Sequence, residues 1–200
     1  MNTTKISAKY GVMLGFVALL CTAISAGVHF LTKDKIGAEA AKQQQALLAQ
    51  VIPADYYDND VTANCEIPDS QEIDKICTAL SGDKVRAYAV EATAPDGYSG
   101  KIRLLMGMTP EGEILGVRIL EHNETPGLGD KIETRISDWI LNFSHQKIDP
   151  QNLRDWAVKK DGGKFDQFAG ATITPRAVVN QVKRTALEVL SRQSSGISDK

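Results

Sequence analysis

The chain has 200 residues, 42% apolar and 24% charged, which are the proportions of a globular protein rather than a disordered tail or a polytopic membrane protein. Lys plus Arg number 23 against 25 Asp plus Glu, for a net charge of −2. That leaves no basic excess to neutralise phosphates, which argues against a nucleic-acid binder.

Residues 1–10 carry Lys5 and Lys9, and Gly11 to Thr32 then contains no Asp, Glu, Lys or Arg. As a helix this stretch rises about 33 Å, close to the hydrocarbon thickness of a bilayer. It has no polar face, unlike a core helix of that length. Two readings compete: an uncleaved transmembrane anchor, or a signal peptide cut near Ala23-Ile24-Ser25-Ala26. The apolar run continues past that point through Val28, Phe30 and Leu31, which favours the anchor. Lys33, Lys35 and Lys42 follow the segment, so counting basic residues leaves its orientation open.

Residues 33–52 read as a helical connector. Ala38, Ala41, Ala46, Leu47 and Leu48 lie among Lys and Gln, and Pro53 ends the pattern. A mixed domain is expected over 53–193. Asp55 to Ser81 is polar and irregular, with a short helix expected within Gln71–Leu80. Cys65 and Cys77 in this stretch are either a small disulfide loop or two unrelated thiols, and spacing does not decide between them. Three strands follow, Val85–Thr93, Lys101–Met108 and Ile114–Leu120, separated by Pro95-Asp96-Gly97 and by Thr109-Pro110-Glu111-Gly112. The second gap is a hairpin by spacing, so an antiparallel sheet is expected.

Ile132, Ile136, Trp139, Ile140 and Phe143 fall on one helical face, predicting a helix over Lys131–Phe143 with Asp130 as its N-cap. Trp156–Val158 suggests another short strand. A last helix is predicted from Thr174, as N-cap, and Pro175 to about Arg192, with Val178, Val182, Ala186 and Val189 as its apolar stripe. Residues 194–200 read as a flexible tail. The fold class is therefore α+β: one N-terminal transmembrane helix, then one mixed α/β domain with a mainly antiparallel sheet.

Three segments carry chemistry. Asp166 to Pro175 (DQFAGATITP) offers the Thr172 hydroxyl beside Gly170 and Ala171, just before a helix whose N-terminus favours a phosphate. Glu121 to Asp130 (EHNETPGLGD) joins a strand to a helix. In it Pro126, Gly127 and Gly129 make a compact turn whose backbone N–H groups can line a pocket, Thr125 supplies a hydroxyl, and Leu128 gives an apolar surface on which a flat ring can rest. Asp96 to Gly100 holds Ser99 and Gly100 in either a hairpin tip or a phosphate-pocket wall. Taken singly, each is an ordinary connection or a capped helix. His122 has no Ser-His-Asp or Cys-His set around it, and His145 reads as solvated surface.

Together, EATAPDGYSG (91–100), EHNETPGLGDKI (121–132) and WAVKKDGGKFDQFAGATITP (156–175), in this order after an N-terminal anchor, resemble the G subunit of the bacterial Rnf/Rsx ion-translocating electron-transport complex. The FMN-binding domain of that family is shared with the C subunit of the sodium-translocating NADH:quinone reductase. The resemblance implies an FMN joined through its phosphate to a threonine, within a pattern Asp-x-x-(Ser/Thr)-Gly-Ala-(Thr/Ser). Residue by residue, this places Asp166 at the position read by a flavin transferase, Gly170 and Ala171 in the middle, and the covalent link on Thr172. Ala169 departs from the pattern, standing where the family has Ser or Thr. The resemblance further implies a single-pass inner-membrane protein with residues 1–10 cytoplasmic and the domain periplasmic, electron relay among the other subunits of the complex, and no independent turnover. Glu124, Thr125, Gly127, Leu128, Ser99 and Gly100 are expected around the cofactor, with no catalytic acid or base and no metal. The alternative is an anchored, non-redox assembly domain of the same complex.

Overall fold

The structure is a computed structural model that describes residues 3–149 and 151–194. The chain forms two compact units, 1–44 and 45–200.

Helix α1 spans Thr3–Val51. Its stretch Lys9–Lys33 is long and apolar enough to cross a membrane, and its residues other than Thr32 stand exposed. The helix ends before Pro53, whose ring cannot continue it.

The second unit is built on a six-stranded antiparallel meander in the order β1 to β6. The strands are β1 (Cys65–Glu66), β2 (Lys75–Ser81), β3 (Lys84–Gly97), β4 (Gly100–Met108), β5 (Glu113–Glu121) and β6 (Gln146–Lys147). The three central strands match the apolar runs expected from sequence. Helix α2, Ile173–Ser194, packs on β3. Its stripe of Val178, Val182, Ala186 and Val189 is buried. On its other flank, Gln181 Nε2 and Thr185 Oγ1 donate to the Glu72 carbonyl at 3.2 and 3.0 Å.

Both faces of the sheet are covered. One carries α2 and an aromatic cluster of Trp139, Phe143, Trp156, Phe165 and Phe168. The other carries the end of α1, Leu48 to Val51, and Ile52. Gly107 and Gly116 permit this second contact: a Cβ on Gly107 would lie 2.1 Å from the Val51 carbonyl oxygen, and one on Gly116 would lie 3.0 Å from Val51 Cα. The structure joins Cys65 and Cys77, which face each other across β1 and β2, in a disulfide.

Four expectations are corrected. Gln71–Leu80 holds no helix, because its second half is strand β2, paired on both sides. Lys131–Phe143 is not one helix but two 3-10 turns, Gly129–Ile132 and Trp139–Phe143. Between them Ser137 Oγ donates to the Lys131 carbonyl at 2.7 Å and accepts from Trp139 N at 3.3 Å, diverting backbone bonds from a helical ladder. Ile136, which one helix would have buried, is 44% exposed, and Asp130 caps nothing through its side chain. Trp156–Val158 makes a single bridge, Val158 to Phe165, rather than a strand. Thr174 is not the cap of α2 but lies within its first turn, with Thr172 in the N-cap position. Of the tail expected at 194–200, only Ser194 lies within the described residues.

Candidate functional site

The three segments singled out above meet at one buried carboxylate. Glu124, 5% exposed, follows β5. Its Oε1 accepts the Ser99 N–H at 3.0 Å, and its Oε2 accepts the Thr174 hydroxyl at 2.6 Å. One side chain therefore ties the β3–β4 hairpin tip and the start of α2 to its own turn. Two glycines make room for it. A Cβ on Gly97 would lie 2.9 Å from Glu124 Oε1, and one on Gly129 would lie 2.7 Å from Oε2 and 2.9 Å from Thr174 Oγ1.

Asp96–Gly100 is the hairpin tip. Gly97 pairs with Gly100, whose φ of 115° only glycine adopts readily. Tyr98 and Ser99 form the two-residue loop, and Tyr98 is 68% exposed. In the next segment the Thr125 carbonyl accepts from both Leu128 N and Gly129 N at 3.1 Å. Pro126 and Gly127 (φ 78°) occupy the central positions, the residues a type II turn requires. The Thr125 side chain is exposed. Leu128 is 42% exposed and reaches toward the third segment, its Cδ2 lying 3.8 Å from where a Gly170 Cβ would stand.

The third segment repeats the turn chemistry. Ala171 N donates to the Phe168 carbonyl at 3.1 Å across Ala169 and Gly170, and Gly170 has φ 78°. Trp139 anchors this turn: its Nε1 donates to the Asp166 carbonyl at 2.7 Å and its ring meets Phe168 edge-on at 5.1 Å. The Asp166 carboxylate is exposed and pairs with Lys159 Nζ at 2.6 Å. Ala169 is also exposed, and Ala171 is half-buried.

Thr172 sits where turn becomes helix. Its carbonyl accepts the first intrahelical bond, from Arg176 N at 3.3 Å, which defines the N-cap position. Ile173 and Thr174 thus keep N–H groups without an intrahelical acceptor, and Pro175 has none to offer. The Thr172 hydroxyl is half-buried and, among the described residues, has no hydrogen-bond partner. Arg176 itself forks onto Asp161 at 2.6 and 2.9 Å, and its guanidinium holds the Asp161 carboxyl below its ordinary range.

Sequence reasoning missed His122, Glu133 and the role of Thr174. His122 Nδ1 accepts the Glu124 N–H at 3.0 Å, leaving Nε2 to face Glu133 Oε1 at 2.6 Å. Arg135 also pairs with Glu133, and this guanidinium, then His122, holds the Glu133 carboxyl down to about 2. No local pattern announces the part Thr174 plays, because the Glu124 bonds to Ser99 and Thr174 span 25 and 50 positions. A cleft of about 660 Å³ behind the turn is lined by His122, Pro126, Asp130, Glu133 and Arg135, among others, and does not include Thr172.

Residues 97–187, from the hairpin tip through most of α2, match the family model described as the FMN-binding domain, and residues 1–51 match the RnfG N-terminal region. The G subunit of the ion-translocating oxidoreductase complex from Pasteurella multocida is 63% identical over 95% of this chain and 96% of its own length. The same-named protein of Haemophilus influenzae strain PittEE is 62% identical over 97% and 95%. The chain belongs to the family of G subunits of the ion-translocating oxidoreductase complex. A more distant G subunit, from Cronobacter sakazakii, remains 53% identical over 90% of this chain. The crystal structure of Shewanella oneidensis NqrC overlaps 70% of the chain with a TM-score of 0.45 and 19% identity.

Proposed function

We propose that the chain is a membrane-anchored flavoprotein that relays electrons within an Rnf/Rsx-type ion-translocating complex, with FMN esterified through its phosphate to Thr172. The observation that carries the reading is the Thr172 hydroxyl, without a hydrogen-bond partner among the described residues, in the N-cap position of a 22-residue helix. The residues present fit the group. A phosphate on Thr172 would meet the positive end of the helix and the N–H groups of Ile173 and Thr174. Leu128 and Ile173, 42% and 45% exposed, offer apolar surface for a flat ring, and Glu124 holds the surrounding backbone in place. Thr125, Gly127, Ser99 and Gly100 contribute turn geometry and backbone groups rather than chemistry.

FMN supplies one- and two-electron redox chemistry when bound, and the chain's residues bind it, orient it and shape its surroundings. Electron relay of this kind needs no catalytic acid or base from the chain. The exposed carboxylate of Asp166 and the exposed turn at Ala169–Gly170 suit recognition by a flavin transferase during maturation. The Lys9–Lys33 stretch is the inner-membrane anchor, and residues 53–193 lie in the periplasm. The Cys65–Cys77 disulfide supports that side, because disulfides persist in oxidising compartments.

The test is intact mass and in-gel ultraviolet fluorescence of the denatured full-length protein, made in bacterial membranes with an active flavin transferase. A fluorescent band, heavier by one FMN less one water and absent in Thr172→Ala, is the expected result. A dark band at the unmodified mass refutes the reading and leaves the non-redox assembly domain.

A further inference from the structure

Ala171 to Thr174 holds two hydroxyls, on Thr172 and Thr174, two positions apart on one short segment. Their surroundings are opposite. Thr174 is fully buried and its hydroxyl donates to Glu124 at 2.6 Å. Thr172 is half-buried, with its hydroxyl unpartnered among the described residues. The Thr174–Glu124 pair has the spacing of a nucleophile and its base. It is sealed, however: at 0% exposure no phosphorus atom can approach the Thr174 oxygen.

We propose that Glu124 is the positioning residue for flavin attachment: by sequestering the Thr174 hydroxyl and fixing the backbone on either side, it leaves Thr172 as the sole acceptor. The inference rests on the covalent-flavin reading above and adds what selects the attachment point. Both carboxylate oxygens are used, one on Ser99 N–H at 3.0 Å and one on Thr174. The carboxylate therefore closes the hairpin tip, its own turn and the start of α2 into one body. Thr172, two residues before Thr174, is held at the rim of that body. Its presentation is fixed before any transferase arrives, which makes it a pre-oriented acceptor.

The attachment step balances as a group transfer. Thr172 Oγ1 bonds to the flavin-side phosphorus of a flavin dinucleotide, the pyrophosphate P–O bond breaks, and AMP leaves. The hydroxyl proton passes to the transferase or to solvent, and nothing is oxidised or reduced.

The experiment follows the rate and the site of FMN addition, by intact mass and peptide mapping. Full-length protein in membranes is supplied with flavin transferase and flavin dinucleotide. Wild type is expected to gain one FMN, on Thr172. Thr172→Ala is expected to gain none, although Thr174 remains. Glu124→Gln, nearly isosteric, cannot accept from both partners, and its rate should fall roughly tenfold to a hundredfold. Rates are compared only for protein with wild-type near-ultraviolet circular dichroism, so a merely structural role would leave them unchanged. If Glu124→Gln loses that signal, Thr174→Val, which removes only the donor, should slow addition in the same direction. A wild-type rate in the folded variant, or flavin on Thr174 in Thr172→Ala, overturns the proposal. Absence of flavin from wild type refutes the covalent reading beneath it, a different and recognisable result.

Discussion

Gly129→Ala tests whether the three segments are held together as described. Gly129 is buried and its φ is not in the left-handed region, so an alanine backbone fits there. The added Cβ does not: it would lie 2.7 Å from Glu124 Oε2, 2.9 Å from Glu124 Cβ and 2.9 Å from Thr174 Oγ1. Rotating the carboxylate relieves the first contact but not the second. The turn must therefore shift, and the bonds to Ser99 N and Thr174 Oγ1 weaken together. Overpacking and a weakened charge-assisted hydrogen bond each cost about 1–3 kcal/mol, and they overlap here, so a loss of about 2–3 kcal/mol is expected. For a domain of this size that lowers the melting temperature by about 4–12 °C. Gly127→Ala is the control. It has φ 78° and nothing within 4 Å, so it bears only backbone strain, about 1 kcal/mol. The assay is thermal unfolding of detergent-solubilised full-length protein, followed by the fluorescence of Trp139 and Trp156. A Gly129→Ala protein that melts at or above the Gly127→Ala protein refutes the argument.

Three further outcomes are expected. Gly107→Ala should destabilise by about 2–3 kcal/mol and Gly116→Ala by less, since the first drives a Cβ to 2.1 Å of backbone and the second only to 3.0 Å; urea midpoints rank them. Reducing the Cys65–Cys77 bond, which spans 12 positions, should cost about 3 kcal/mol, seen as a lower melting temperature in dithiothreitol that vanishes in Cys65→Ser/Cys77→Ser. Glu133, held at about 2 chiefly by Arg135, contributes stability that is present above its ordinary pKa of 4.5 and lost as pH falls toward 2. In Arg135→Ala the Glu133 titration, followed by NMR, should move up toward 4.5, and no movement would show that the pair is not formed in solution.

The long apolar helix, the hairpin strands β3 to β5 and the stripe of α2 were legible in the sequence. Each is a local pattern: a charge-free run, alternating residues between turn signals, and a 3.6-residue period. The type II turns at Pro126-Gly127 and Ala169-Gly170 are likewise written in their residues, as is Thr172 at the mouth of a helix. Local pattern failed where a distant partner or a competing side chain decided the outcome. Residues 75–81 suit a helix or a strand, and pairing with β1 and β3 made them a strand. The 132–143 periodicity is real at Ile132, Trp139, Ile140 and Phe143, but Ser137 took the backbone bonds a helix needed. Thr174 carries a good capping side chain, yet its hydroxyl went to Glu124, 50 positions away. Residue order was enough to set most of the long elements and the hydroxyl-bearing motif the chain displays. It was not enough to say which partner takes the Thr174 hydroxyl. That choice belongs to the assembled fold, because it depends on a buried carboxylate whose partners lie far apart in the chain and meet only once the sheet has closed.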